Sequence, residues 1–333
     1  MESRKARPQV PVLDPSSSSD TSRLTPHPSP SYYKGRFAPS PTGPLHFGSM
    51  VTALGSYLDA RAHAGEWLLR IEDLDPPREQ PGAADAILSA LDAYGLHWDG
   101  PVLYQHTRLD AYEAAMGRLL AAGLAYPCAC SRQEIADSGM HGLEGAVYPG
   151  TCRNGPRNGR PARTLRLRIP PEEILAVQDE IQGINRQHLA KEIGDFVIRR
   201  ADGYCSYQLA VVVDDAFQGV THVVRGADLL LSTARQVYLS RLLDGPKYIY
   251  MHLPVAVNTA GEKLSKQAHA APVYADSAPE LLFRALEFLG QSPPGELCAA
   301  LPAELLGWAV GHWQPQPLRG LQTRKVTQEF TLI

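Results

Sequence analysis

Hydrophobic and polar residues recur with two different periods in the first ordered part of the chain. A short strand is predicted to end at Phe37, and apolar residues then recur at helical spacing from about Phe47 to His63. A second strand, Trp67–Ile71, runs into an acidic segment that begins at Glu72. Because a strand–helix–strand unit joins parallel strands, this pattern predicts an α/β fold with a parallel sheet.

The α/β pattern continues along the chain, with one ambiguous segment. Asp202-Gly203 predicts a hairpin turn between Phe196–Arg199 and Tyr204. The run Leu209–Val213 fits a strand by its β-branched residues, but its length and flanks also fit a buried helical turn. Further predictions are helices near 82–94, 108–122 and 229–243, strands at 164–169, 221–224 and 248–252, and a helical region at 277–312.

Residues 1–34 differ from the rest of the chain, because proline, serine and threonine dominate them. Such a segment cannot bury enough apolar surface to offset its chain entropy, so a disordered extension is predicted. A targeting peptide is the alternative. Residues 126–162 also stand apart, since they hold three cysteines and many glycines and show little periodicity.

Composition narrows the class of protein. The chain has 333 residues, 44% of them hydrophobic, which predicts about two or three domains with a sizeable core. Its net charge of −3 excludes a uniformly basic surface but leaves room for a local basic face. Five cysteines at uneven spacing do not suggest a disulfide framework. No apolar run approaches the roughly 18–20 residues of a membrane span, and no secretory signal is evident, so we expect a cytoplasmic protein.

A proline-rich loop joins the first strand to the first helix. The start of a helix favours negative charge, because its N–H groups and its dipole point toward a bound anion. His46 lies at this start and could hydrogen-bond a phosphate oxygen, while Gly48 would let a flat base approach the backbone. A histidine that merely caps the helix is the alternative, and His-x-Gly alone favours that simpler interpretation.

The whole loop is far more specific than its parts. The segment Arg36-Phe37-Ala38-Pro39-Ser40-Pro41-Thr42-Gly43, followed by His46-Phe47-Gly48-Ser49, resembles the ATP-binding signature of class I aminoacyl-tRNA synthetases of the glutamyl group. The loop Lys263-Leu264-Ser265-Lys266-Gln267 resembles that family's Lys-Met-Ser-Lys-Ser loop, with Gln in place of the last Ser. The resemblance implies that His46, Gly48 and Lys266 bind ATP. It also implies that His46, Lys263 and Lys266 act in catalysis beside a phosphate-bound Mg²⁺.

Charged and polar residues stand at predicted strand ends, where ligands of open parallel sheets bind. The resemblance implies that Glu72 and Ser40 hold the α-ammonium of glutamate and Arg225 its α-carboxylate. Arg36 and Tyr207 would hold the γ-carboxylate, since a guanidinium recognises a carboxylate through paired hydrogen bonds. Phe37, Ala38 and Pro39 complete this glutamate site. Taken singly, Arg36 or Glu72 could be half of an exposed ion pair of little value.

Three cysteines, Cys128, Cys130 and Cys152, lie in the irregular segment and suit zinc, which takes four ligands in a tetrahedron. His141 and Tyr148 are both candidates for the fourth ligand. Chemistry favours the imidazole, because a tyrosine must lose a proton to bind well. The resemblance favours Tyr148. Free cysteines also occur in cores as small hydrophobic residues, which is the alternative to one structural zinc.

Three further sequence segments resemble those of the glutamyl-queuosine tRNA(Asp) synthetase family, and the resemblance covers about residues 35–315. They are 70–79, 207–215 and 224–230. This family activates glutamate with ATP, without needing tRNA, and transfers it to the queuosine base at the wobble position of tRNA(Asp). A tail of roughly 60 residues follows the lysine loop, so we expect no anticodon-binding domain.

Two alternatives remain for the function. The chain could be a truncated glutamyl-tRNA synthetase that charges tRNA(Glu), or a zinc-bearing RNA-binding module without catalysis. The expected partners are glutamate, ATP and queuosine-containing tRNA(Asp), with no membrane, and the expected state is a monomer. The resemblance implies a Rossmann-like class I catalytic domain in two halves, 35–100 and 195–273, after the extension 1–34. An inserted zinc-bearing α/β subdomain of acceptor type at 101–194 and a helical tail at 274–333 complete the prediction.

Overall fold

The computed structural model describes residues 32–138, 141–143, 145–156, 159–264 and 272–326. The strands are β1 (Lys34–Phe37), β2 (Glu66–Ile71), β3 (Leu103–Tyr104), β4 (Ala125–Cys128), β5 (His141–Gly142), β6 (Gly145–Ala146), β7 (Thr164–Leu167), β8 (Ile174–Asp179), β9 (Gly183–His188), β10 (Val197–Arg199), β11 (His222–Gly226), β12 (Ile249–Leu253), β13 (Val255–Val257) and β14 (Thr323–Lys325). The α-helices are α1 (Phe47–Ala62), α2 (Ala83–Ala93), α3 (Leu109–Ala121), α4 (Arg132–Ala136), α5 (Leu189–Glu192), α6 (Tyr207–Phe217), α7 (Leu230–Leu242), α8 (Ala278–Phe288) and α9 (Pro302–His312).

Parallel strands form the centre of the fold, as the strand–helix–strand pattern predicts. β1 pairs in parallel with β2, and β2 pairs in parallel with β3. β11 pairs in parallel with β12 and starts beside β1, where the backbone N–H of Thr221 donates to the carbonyl of Lys34 at 2.9 Å. The carboxyl ends of β1, β2 and β11 therefore face the same edge, which is where this architecture binds ligands.

An antiparallel hairpin, β8 and β9, extends the second set of strands in the order β11-β12-β8-β9. The sequence pattern does not predict it. Several of its side chains are exposed, among them Ile174 and Ile184, and β9 is mostly polar. A hairpin at the edge of a sheet needs few apolar residues, so it gives a weak hydrophobic signal.

The ambiguous run Leu209–Val213 lies in helix α6. Leu209, Ala210, Val211 and Val212 are all buried, so this part of the helix is covered on most sides. A helix that is buried on most sides has no long polar face, which is why its sequence resembles that of a buried strand.

The C-terminal region contains the predicted helices α8 and α9, and α9 begins at Pro302. It is not wholly helical, however, because β14 pairs in parallel with β13. This strand was missed because three residues carry too little periodicity to be recognised. The indole N–H of Trp313 donates to Asp59 of α1 at 2.9 Å, which ties this region to the core around α1.

Within the described ranges, none of the helices combines the length and the apolar character needed to cross a membrane. The predicted disorder of residues 1–34 falls almost wholly on residues 1–31, which lie outside the described part of the chain.

Candidate active site

A cleft of about 510 Å³ opens at the carboxyl ends of β1, β2 and β11. The loop after β1, the start of α1 and the segment after β13 form its other walls. Its lining includes the following residues predicted from the sequence: Arg36, Phe37, Ala38, Pro39, Ser40, His46, Gly48, Glu72, Tyr207, Arg225 and Lys263. The remaining prediction for this site, Lys266, falls in 265–271 and so lies outside the described residues.

Two arginines and two carboxylates form a buried network on one side of the cleft. Arg70 donates to Asp215 Oδ1 at 2.7 Å and to Glu72 Oε1 at 3.3 Å. Arg36 donates to the same Asp215 through Nε at 3.2 Å. The two positive charges are therefore balanced by two negative charges, and Arg36 is buried in the cleft wall instead of forming an exposed surface pair.

Burial and the neighbouring arginines shift the pKa values of the two carboxyl groups in this network in opposite directions. Burial works against the charge of Asp215, but Arg36 and Arg70 hold the pKa of its carboxyl below the ordinary value. Burial raises the pKa of Glu72 above its ordinary value of 4.5, although Arg70 and Arg36 oppose the shift. Ionisation therefore costs more free energy at Glu72 than at Asp215. A cationic ligand group beside Glu72 would offset this cost and would itself be stabilised.

Arg225 lies at the end of β11 and is buried, with hydrogen-bond acceptors that are all neutral. Its Nε donates to His252 Nε2 at 3.0 Å and its Nη1 to the Gln236 side-chain oxygen at 2.7 Å. Its Nη2 donates to the Thr233 hydroxyl at 2.9 Å and to the Leu229 carbonyl at 3.5 Å. Its positive charge is therefore available to an anionic ligand group in the cleft.

His46 is the N-cap of α1 and forms a reciprocal capping box with Ser49. The Ser49 backbone N–H donates to His46 Nδ1 at 3.4 Å, so in the neutral ring Nε2 carries the proton and can donate to a phosphate oxygen. The capping role and a phosphate-binding role are therefore compatible. A Cβ on Gly48 would come within 3.2 Å of the His46 ring and 3.3 Å of the Leu264 carbonyl, so a glycine allows this close approach.

Two other predicted residues hold positions at the rim. Tyr207, the first residue of α6, is 38% exposed. Lys263 forms an ion pair with Asp228 at 2.6 Å, and both residues line the cleft. Both partners are exposed, so an anionic ligand can compete for the lysine at modest cost.

The three cysteine sulfurs, those of Cys128, Cys130 and Cys152, lie within 4.8 Å of one another in the irregular segment. The Tyr148 hydroxyl lies 3.3 Å from Cys128 Sγ and 3.6 Å from Cys130 Sγ. Among the described residues, no histidine nitrogen joins the three sulfurs in this cluster. His141 lies on β5, paired with Ala146. Four donor atoms therefore converge, with Tyr148 as the oxygen donor.

The surroundings of this cluster favour an anionic sulfur at Cys152, whereas burial raises the pKa of Cys130 to about 11 and the pKa of the Tyr148 hydroxyl well above its ordinary value. Burial opposes ionisation of Cys152, but hydrogen bonds from Ala129, Tyr148 and Cys130 lower its pKa to about 7. Arg166 donates to Cys128 Sγ at 3.4 Å and stacks over the Tyr148 ring at 4.0 Å. Cysteine sulfurs are donors that zinc prefers, and a thiol that binds zinc loses its proton to the solvent, so the residues present fit this metal.

Sequence reasoning missed Arg70, Asp179, Asp215, Asp228 and His252. Arg70 and Asp215 did carry a signal, because each is a charged residue next to a buried apolar run. A charge in such a run needs a buried partner of opposite sign. The pattern cannot name that partner, since Arg70 and Asp215 are 145 residues apart in the chain.

Comparison with known proteins agrees with this arrangement. Residues 33–300 match the family model for the catalytic domain of class I tRNA synthetases (E and Q). A glutamyl-Q tRNA(Asp) synthetase of Dechloromonas aromatica (strain RCB) is 59% identical over 283 residues, which cover 84% of this chain and 94% of that protein. Its counterpart in Chromobacterium violaceum is 57% identical over 281 residues, covering 84% and 93%. The chain therefore belongs to the glutamyl-Q tRNA(Asp) synthetase family within this class.

A solved structure of a glutamate tRNA ligase from Elizabethkingia meningosepticum in complex with its amino acid is similar in fold. The TM-score is 0.72 at 25% sequence identity, and the match covers 88% of this chain and 66% of that one. The predicted class I α/β fold with a parallel sheet is thus confirmed.

Proposed function

We propose that this protein activates glutamate with ATP to glutamyl-adenylate in the absence of tRNA. It then transfers the glutamyl group to the queuosine base at the wobble position of tRNA(Asp). Family membership supports the overall reaction. The observation that carries the proposal is that one cleft combines an acid for an ammonium, two arginines for carboxylates and a donor-bearing helix start for phosphate.

Glutamate binding follows from the charges of the cleft. Glu72 and Ser40 accept the α-ammonium, and the carboxylate oxygen of Glu72 that Arg70 does not bond is the one available to it. Arg225 binds the α-carboxylate, and Arg36 with Tyr207 binds the γ-carboxylate. Phe37, Ala38 and Pro39 form the adjoining wall, where the Glu72 backbone N–H donates to the Pro39 carbonyl at 3.0 Å. This bond fixes the loop after β1 relative to the end of β2.

The first chemical step forms a mixed anhydride. An α-carboxylate oxygen of glutamate attacks the α-phosphorus of ATP, and the bond to the β-phosphate breaks, so pyrophosphate leaves. His46, Lys263 and Lys266 stabilise the negative charge that develops on the phosphates, and Gly48 lets the nucleotide approach α1. Mg²⁺ enters bound to ATP and neutralises part of the phosphate charge.

The second step is the transfer. A hydroxyl of the queuosine cyclopentenediol attacks the anhydride carbonyl, forming an ester and releasing AMP and a proton. The anhydride bond supplies the driving force for this step, so the protein's main task is to place the hydroxyl against the carbonyl.

A structural zinc ion completes the inserted region, held by Cys128, Cys130, Cys152 and Tyr148. The metal would cross-link a segment whose own buried cluster is small. We also propose that the protein is monomeric, works in the cytoplasm, and divides into catalytic halves 35–100 and 195–273, an insertion at 101–194 and a tail at 274–333.

Glutamate-dependent exchange of pyrophosphate into ATP without tRNA tests the activation step. A non-catalytic RNA-binding module gives no exchange. Transfer of radiolabelled glutamate to tRNA(Asp) with and without queuosine, and to tRNA(Glu), then tests the acceptor. Labelling that requires queuosine supports the proposal, whereas labelling of tRNA(Glu) alone points to a glutamyl-tRNA synthetase.

A further inference from the structure

Arg225 is the only arginine described above in the cleft wall whose hydrogen-bond acceptors are all neutral. Four of its five N–H bonds have partners in the described part of the chain, which leaves one N–H on Nη1 for a ligand. The hydrogen bonds between a guanidinium and a carboxylate depend on the orientation of the guanidinium plane. The groups that fix this plane therefore control ligand binding without touching the ligand.

The bond to His252 constrains the state of that ring. Arg225 Nε can only donate, so His252 Nε2 must present a lone pair at their 3.0 Å contact. The proton of the neutral ring then lies on Nδ1, which donates to Asp179 Oδ2 at 2.6 Å. Both His252 and Asp179 are buried, so water does not compete for these bonds.

Asp179 is itself held in place by the backbone. Its Oδ1 accepts N–H bonds from Ile181 at 3.1 Å, Gln182 at 2.8 Å and His252 at 3.3 Å. This carboxylate therefore has a fixed position at the end of β8, in the hairpin that extends the sheet. From there it selects the tautomer of His252.

We infer that Asp179 and His252 are positioning residues that orient Arg225 for the substrate carboxylate while leaving its charge unneutralised. A carboxylate in direct contact with Arg225 would orient it equally well, but it would also weaken its attraction for the ligand. Here the negative charge stays one imidazole ring away. Arg36 offers the contrast, because Asp215 contacts it directly. The inference rests on the proposed role of Arg225 in glutamate binding.

Two substitutions of His252 separate hydrogen bonding from shape. In His252→Gln the side-chain amide oxygen can lie near the position of Nε2 and accept from Arg225. In His252→Asn the shorter amide can reach Asp179 but not Arg225. Loss of one charge-assisted hydrogen bond should raise the Kd for glutamate at least about tenfold in His252→Asn. We expect His252→Gln to remain within about threefold of the unsubstituted protein.

The measurements are the Kd for L-glutamate by calorimetry without ATP, and the KM values for glutamate and ATP in pyrophosphate exchange. We expect only the glutamate values to rise. Asp179→Asn should raise them too, because an amide donor facing Nδ1 favours the opposite tautomer. Asp59→Asn is the matched control: Asp59 is a buried aspartate bonded to Tyr33 and Trp313, and its loss should lower the Tm and leave glutamate binding unchanged.

Each outcome decides the matter. A glutamate Kd within about threefold of normal in either His252→Asn or Asp179→Asn overturns the inference, as do equal losses in His252→Asn and His252→Gln. If His252→Asn fails to fold, a glutamate Kd within about threefold of normal in Asp179→Asn overturns the inference, as does an equal loss in Asp179→Asn and His252→Gln. Absence of glutamate-dependent exchange in the unsubstituted protein would instead refute the proposed function.

Discussion

Replacing Asp215 by asparagine should both destabilise the protein and weaken glutamate binding. The carboxylate lies between Arg70, at 2.7 Å, and Arg36, at 3.2 Å, and all three side chains are buried. In Asp215→Asn the two guanidinium groups share only Glu72, so one positive charge stays buried without a counter-charge. Arg36 also loses its fixed orientation in the cleft wall.

The size of the effect follows from this geometry. Removing one partner from a buried ion pair costs about 3–5 kcal/mol. For a chain of this size, about 2 °C of Tm corresponds to each kcal/mol, which predicts a fall of about 6–10 °C. Loss of orientation at a charge-assisted contact should raise the KM for glutamate by about tenfold or more.

Differential scanning calorimetry and glutamate-dependent pyrophosphate exchange measure the two effects. Asp214→Asn is the matched control, because Asp214 is the neighbouring buried aspartate and bonds Tyr112, Gln105 and Arg108 outside the cleft. The control should lower the Tm and leave the KM for glutamate within about threefold of normal. A normal Tm and a normal KM in Asp215→Asn would refute the charge balance described for this network.

Three further outcomes are expected. Lys266→Ala should slow pyrophosphate exchange by about 10²-fold while glutamate binding is preserved, because a charge stabiliser of the transition state is lost; near-normal exchange would exclude Lys266 from the mechanism. Purified protein should contain about one zinc ion per chain, and removal of the zinc should lower the Tm. If Tyr148→Phe retains zinc and His141→Ala loses it, the choice of Tyr148 as the fourth ligand is wrong. Burial raises the pKa of Glu72 above 4.5, and the ionised carboxylate binds an ammonium more strongly than the neutral carboxyl group does. We therefore expect kcat/KM for glutamate to rise with pH through that raised pKa and then to level off. A value independent of pH from 4.5 to neutrality would contradict this assignment.

Local sequence signals predict the parallel core well. The helix predicted from Phe47 to His63 is observed as Phe47–Ala62, and the strand predicted at Trp67–Ile71 begins one residue earlier. Strong hydrophobic periodicity and a short loop make this strand–helix–strand unit predictable from the sequence, because each of its elements buries one defined face. The run Leu209–Val213 shows the limit, since burial on most sides removes the polar face that would mark a helix.

The position of the cleft is also partly predictable, because polar residues at the carboxyl ends of parallel strands meet at one edge of the sheet. Its supporting residues are harder to find. Arg225 can be singled out from the sequence, but its supporting residues are distant in the chain. His252 lies 27 residues after Arg225, and Asp179 lies 73 residues before His252. Such pairings depend on how the strands are ordered in the sheet. A single sequence shows that a buried charge needs a partner, and the fold decides which residue that is.

The site of glutamate attachment is the most direct test of the proposed function. Queuosine-containing tRNA(Asp) from which the terminal nucleotide has been removed can still present its wobble base, but it cannot be aminoacylated at the terminal ribose. Enzymatic trimming is preferable to periodate, which oxidises the queuosine diol as well as the ribose. The account predicts continued incorporation of radiolabelled glutamate into the trimmed tRNA, and complete loss of incorporation on trimming would contradict it in favour of ordinary aminoacylation.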